Sequence, residues 1–145
     1  MSDVLDMLSG RAAISKLQAE ISQMPQWDAS DSTSHFFADG MYARVLARPA
    51  DTLIVGKVHR KEHFYIVCCG TVRITQGDGS AREVTGPAVL VSKPGTKRAV
   101  YAVTDATCMT VHRTKKRNLD KIERELIEPD GLALYDAHNR PRALK

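Results

Sequence analysis

Cysteine is scarce in this 145-residue chain: there are three, and two of them, Cys68 and Cys69, are adjacent. Neighbouring strand residues point to opposite faces, so that pair is not expected to close on itself. So few thiols, odd in number, argue against a small secreted domain stapled by disulfides, and a reduced cytoplasmic setting is the expectation. Long apolar runs are also missing, and no stretch approaches the roughly 18–20 residues that a membrane helix needs. The opening "MSDVLDMLSGRAA" carries acids near its start and no unbroken apolar centre, so no secretory signal and no membrane partner are expected. Aromatics make up only 6% of the residues. The net charge of +4 raises the question of nucleic acid. However, the densest basic run, "HRTKKR" from His112 to Arg117, has no interleaved aromatic platform, which argues against such a partner.

The length and the hydrophobic fraction of 43% are those of one soluble domain with a single core. Three zones are expected: residues 1–33 as a helical arm and linker, 34–112 as strands and turns, and 113–145 as a helix with a polar tail. In the first zone Ser2 and Ser9 are candidate helix caps, with a break expected at Gly10. Ile14, Leu17, Ile21 and Met24 then draw one apolar stripe. In the middle zone, β-branched runs alternate with turn signals: "RPAD", Gly70, the glycine-rich Gly77-Asp78-Gly79, Pro94-Gly95 and Thr104-Asp105. Short strands at such spacing, with no intervening helix, indicate a sandwich or barrel. In the third zone Asn118 is a good cap for "LDKIERELIEP", whose stripe is Leu119, Ile122, Leu126 and Ile127. "LALYDAHNRPRALK" reads as a flexible tail or an arm that orders on a partner.

The chemistry centres on "GKVHRKEHFYIVCCGTVRIT", Gly56 to Thr75. "HRKEH" matches the H-x-x-E-H pattern of a class of zinc proteases, which needs a helix to bring both imidazoles to one ion. Here Val58 precedes the pattern and Phe64, Tyr65, Ile66 and Val67 follow it, so the segment is extended and the protease reading fails. Residues four apart on a strand share a face but lie about 13 Å apart. His59 and His63 can therefore share a metal only if the chain bends at Arg60 or Lys61. If His63 points inward, so do Tyr65, Val67 and Cys69, leaving Phe64, Ile66 and Cys68 as an outer apolar row. Such a row calls for cover by a helix or a second subunit, so a homo-oligomer is expected, with the N-terminal helix helping to cover the row.

The spacing of His59, His63 and Gly70, with the later "KPGTKR", resembles the cupin superfamily. That family's first motif is a glycine, five residues, His-x-His, three or four residues, a Glu, six residues and a Gly. Counted back from Gly70, His63 takes the glutamate place, His59 the second histidine place, Lys57 the first, and Asp51 the opening glycine. In the second motif Pro94 has slipped by one, Gly95 fits, and Arg98 takes the histidine place. The resemblance covers about residues 41–112 and implies an all-β, jelly-roll core flanked by an N-terminal and a C-terminal helix. It implies a ligand set of Lys57, His59, His63 and Arg98, two of which are cations rather than donors. His112 is the remaining candidate imidazole. No cofactor is therefore the first expectation, with a divalent Zn, Fe or Mn on His59 and His63 as the alternative.

The order of segments also looks like small cupin-type proteins of tailed bacteriophages, which implies a non-enzymatic virion or assembly module with phage structural proteins as partners. Host cytoplasm or virion would then be its location. Two alternatives stay open. One is a metal-free binder of a small anionic ligand, using a pocket of Lys57, His59, His63, Tyr65, Arg98 and His112. The other is a metal-dependent enzyme of isomerase or dioxygenase type.

Overall fold

The computed structural model describes residues 2–75 and 80–142. Among these residues, nine strands follow one N-terminal helix, α1 (Ser2–Ile21), and precede a short second helix, α2 (Leu119–Leu126). The strands are β1 (Thr33–Ala38), β2 (Met41–Arg48), β3 (Leu53–Val55), β4 (His63–Cys69), β5 (Thr71–Thr75), β6 (Ala81–Thr85), β7 (Ala88–Ser92), β8 (Ala99–Ala102) and β9 (Ala106–Arg113). They form two antiparallel sheets, ordered β1-β2-β9-β4-β7 and β3-β8-β5-β6. The expected all-β core with a helix on either side is what the chain forms. The turn expected at Gly77-Asp78-Gly79 lies outside the described residues.

Between the sheets Val67, Val72, Ile74, Val84, Val100 and Cys108 pack into the main core, with Tyr65 at its edge. Inward residues of β4 and β9 alternate as strand parity requires. Parity holds along β4 through Val67 and then fails. A register shift between Val67 and Cys69 opens the strand by one residue, and Cys69 is exposed instead of facing inward. Cys68 is half-buried, Cys108 is buried, and all three thiols are free.

Gly70 closes this segment with a positive φ of 82°. A Cβ there would lie 2.2 Å from the Asp105 carbonyl oxygen and 2.8 Å from the Ala106 side chain. Both the left-handed backbone and the backbone contact demand glycine. Gly70→Ala is expected to cost about 3–5 kcal/mol, read as a fall in the urea midpoint. A variant within about 1 kcal/mol of the parent would contradict this packing.

Helix α1 runs unbroken through Gly10, and Ser9 lies inside it, so neither the expected break nor the second cap exists. A mid-helix glycine costs only about 1 kcal/mol, and packing overrides it. The apolar stripe docks: Ile14, Leu17 and Ile21 join Val55, Ala99, Leu134 and Tyr135. Met24 falls beyond the helix and is exposed. The helix thus lies against the β3–β8 edge and the C-terminal segment. It does not cover Phe64, as had been expected.

The C-terminal segment is not a free tail over its described length. Ala133, Leu134, Tyr135 and Ala137 are buried. The Asp136 carboxylate accepts from the backbone N–H groups of His138 and Arg140 to shape the turn. Gln18 fixes the segment to α1, its Nε2 donating to the Leu132 carbonyl at 2.5 Å and to Asp130 at 3.1 Å.

Helix α2 begins at its expected cap, the Asn118 side chain accepting from the Lys121 N–H at 3.0 Å. It ends before Pro129, because Ile127 leaves the helix to bridge His59. Ile122 and Leu126 bury against Tyr42. This lays α2 beside the end of the barrel at which the histidines stand.

Candidate metal centre

Three imidazoles meet at that end. His63 opens β4, and His112 lies near the end of β9. His59 stands on the preceding segment, pinned by its bridge to Ile127 and by the Arg60 N–H donating to the Leu126 carbonyl at 2.7 Å. The chain bends at Arg60 and Lys61, as sharing an ion required. His59 and His63 ring centroids are 4.3 Å apart, His63 and His112 4.5 Å, and His59 and His112 4.9 Å. One ring nitrogen from each lies within 4.8 Å of the other two.

The sequence left the direction of His112 open; the structure turns it inward and buries it. Its ring stacks on Tyr42 with centroids 5.8 Å apart, and Tyr42 in turn receives a hydrogen bond from Arg44 Nε at 2.8 Å. The Tyr42 hydroxyl also lies 2.7 Å from His35 Nδ1. His112 Nε2 is 2.8 Å from Thr110 Oγ1, and His63 Nδ1 donates to the Lys61 carbonyl at 3.2 Å. Such outer bonds orient a ring and leave its other nitrogen for a ligand.

All three imidazoles are held neutral. Burial pushes His59 well below its usual range, helped by the positive charge that His63 and His112 would carry. Burial does the same to His63 and takes His112 down to about 3, with His63 and Arg44 adding to it. In the unfolded chain each ring takes up its proton near pH 6.5. Acid therefore favours unfolding: stability is complete above about pH 6.5 and declines as the pH falls from there toward about 3. At pH 5 His112 alone accounts for about 2 kcal/mol. The chelator-treated protein is expected to show a lower urea midpoint at pH 5 than at pH 7. Equal midpoints would mean the rings are not buried as neutral groups.

Lys57 and Arg98, which the family spacing set in histidine places, do not join the cluster of donors. Lys57 pairs with Glu123 of α2, and burial lowers its pKa against that pairing. Arg98 lines a cavity of about 150 Å³ together with Lys57, His59, His63 and Tyr65. Every candidate ligand residue therefore borders this one space except His112, whose ring packs against those of His59 and His63. Sequence reasoning missed Arg44, Arg48 and Ser92, which also line it. The signal was in register: Ser92 pairs with His63, and Arg44 with Thr110, whose other neighbour is Tyr65.

No protein-family model matches the sequence, and no curated protein does. Solved structures do. Protein NMB1881 from Neisseria meningitidis aligns with a TM-score of 0.51 at 6% identity, over 66% of this chain and 93% of that one. The cupin domain of Cnp3 from Schizosaccharomyces pombe aligns at 0.50 and 14%, over 64% and 67%. A conserved double-stranded β-helix protein from Klebsiella pneumoniae aligns at 0.50 and 16%, over 59% and 74%. At these identities the likeness speaks for the fold alone. The chain folds as a cupin-type double-stranded β-helix.

Proposed function

We propose that this barrel holds one divalent transition metal on His59, His63 and His112 and uses it to bind and polarise a small organic ligand. The observation that carries the reading is the mutual approach of three neutral imidazole donors within 4.8 Å. Three protein ligands with an open position are the donor set of catalytic rather than structural sites. Imidazole donors fit zinc or ferrous iron better than manganese, which prefers oxygen. When bound, such an ion supplies Lewis-acid polarisation of a ligand oxygen. The chain's own residues do the rest. Ile127 lines the cavity beside His59, and Thr110 and the Lys61 carbonyl orient the rings of His112 and His63.

The test is metal content. Protein expressed with added zinc or iron, and purified without chelator or nickel resin, should carry about one ion per chain. The His59→Ala, His63→Ala double variant should carry under about a tenth of that, since removing ligands removes the site. A parent chain that arrives empty and takes up no zinc on dialysis sinks the reading.

The module reading keeps one specific support. The outer face of the larger sheet is apolar and lies bare, with Phe64 49% and Val89 62% exposed. A second copy of this chain is the proposed cover, and self-association through that face is compatible with a metal site on the opposite side of β4 and β9.

A further inference from the structure

We propose that the interior of the barrel beneath the three imidazoles is a carboxylate site, formed by Arg48, Arg98, Tyr65 and Ser92, that takes a small organic acid. The inference rests on reading this cavity as the ligand site and adds the chemical class of the ligand.

Inward rows of the larger sheet place these groups in layers. His63, His112 and Ser92 form the layer at the α2 end, since Ser92 pairs with His63. Tyr65, Thr110 and Arg44 form the next layer, through the pairings Tyr65 with Thr110 and Thr110 with Arg44. Arg48 stands at the far end of β2, opposite Ala106. Arg48 nonetheless lines the same cavity, with Arg98 and Tyr65. Tyr65 thus shares the cavity with both arginines.

The cations of this cavity fall into two kinds. Lys57 is paired with Glu123, and Arg44 donates to the Tyr42 hydroxyl and to the Ala137 carbonyl at 3.4 Å. Among the described residues, Arg48 and Arg98 form no ion pair, and no carboxylate lines the cavity. Arg48 is only 7% exposed, and its Nε and one terminal nitrogen have no hydrogen-bond partner within the chain. Arg98 Nε, the Tyr65 hydroxyl (9% exposed) and Ser92 Oγ (3% exposed) also have none; the Cys108 thiol lies beside Tyr65 without a bonded geometry.

Buried donors without partners are costly, and a buried guanidinium without a counter-charge more so. The deficit is of one kind: two planar donor forks and two hydroxyls around one space. A carboxylate accepts from a guanidinium through two parallel bonds and has lone pairs left for hydroxyls. The cavity volume sets the size. A comparable apolar cavity of about 150 Å³ holds benzene, so the ligand has roughly six to ten non-hydrogen atoms. Its acid group lies against Arg48 and Arg98, and its remainder extends toward the imidazoles.

The experiment is calorimetric titration of the full chain with malonate and succinate, before and after chelator treatment. Neutral succinamide and inorganic phosphate are the comparison probes. At least one diacid should bind saturably below 10 mM and at least ten-fold tighter than succinamide or phosphate. Arg48→Gln and Arg98→Gln should each weaken it ten-fold or more, with metal content and the thermal midpoint retained. The His59→Ala, His63→Ala variant should lose metal yet still bind the diacid saturably in the chelated state, because the acid group rests on Arg48 and Arg98. Absence of saturable diacid binding, equal affinity in the two arginine variants, or tighter binding of phosphate would each overturn the proposal. Loss of the metal reading shows separately, as an empty parent chain that still binds the diacid.

Discussion

His112→Phe is expected to abolish tight metal binding while leaving the barrel folded. Altering a residue that merely orients a ligand typically costs 10–100-fold in metal affinity, so removing a direct ligand should cost at least about 100-fold. Phenylalanine retains the flat ring that stacks on Tyr42 and His59, whose centroids lie 5.8 Å and 4.9 Å away. It gives up both nitrogens. Alanine would instead leave a void in a buried wall, and its loss of metal could be blamed on collapse. The phenylalanine variant separates the two. Competition against a chromophoric zinc chelator gives the affinity, and the urea midpoint at pH 7 reports the fold. The same substitution removes a buried base, so the chelated variant should also lose part of the acid sensitivity of its parent. Zinc affinity within about three-fold of the parent would exclude His112 as a ligand.

The standing of His112 also shows where the sequence stops being informative. His59 and His63 were legible because their flanks are unmistakably extended and Gly70 fixes the end of the strand. A bend at Arg60 or Lys61 was legible only as the condition for the two rings to share an ion, from the length of an extended chain and the reach of an imidazole. For β9, "ATCMTVHR" is apolar at both parities, so nothing decides whether Cys108, Thr110 and His112 or Thr107, Met109 and Val111 face inward. Arg48 was lost for a related reason. In β2, "MYARVLAR", the row Met41, Ala43, Val45 and Ala47 looks like a core row, and the row with Arg44 and Arg48 looks like a solvent row. The register reverses this: Tyr42 pairs with His112 and Leu46 with Cys108, both inward. The usual rule of apolar-in and polar-out fails because the polar row lines the cavity and the apolar row lies bare on the outer face. The C-terminal segment reads in sequence as a tail or as an arm that orders on a partner because Leu134, Tyr135 and Ala137 follow no helical or strand period, although they are buried against the domain itself. Likewise, the bulge that turns Cys69 outward had no marker other than the glycine after it.

That reversed alternation yields the last prediction: Phe64→Asp should abolish the self-association proposed for the outer sheet face. The outer face carries two cross-strand rows without a charge. One is Phe36, Ala43, Val111, Phe64 and Val91; the other is Ser34, Val45, Met109, Ile66 and Val89. Five strands about 4.8 Å apart, each bare over some five residues, offer roughly 400 Å² in projection. A two-fold axis between two such stacked sheets would set this face against its own copy. Sheets stack in this way at about 10 Å. Because such an interface is isologous, one substitution enters it twice, and two carboxylates are buried in an uncharged layer. Burying each without a partner costs several kcal/mol, so self-association should weaken by at least about 1,000-fold. Sedimentation equilibrium of parent and variant at matched concentration measures it. The metal content of the variant should not change, because Phe64 and His63 stand on opposite faces of β4. A parent that sediments as a monomer at about 100 µM would overturn the proposed self-association.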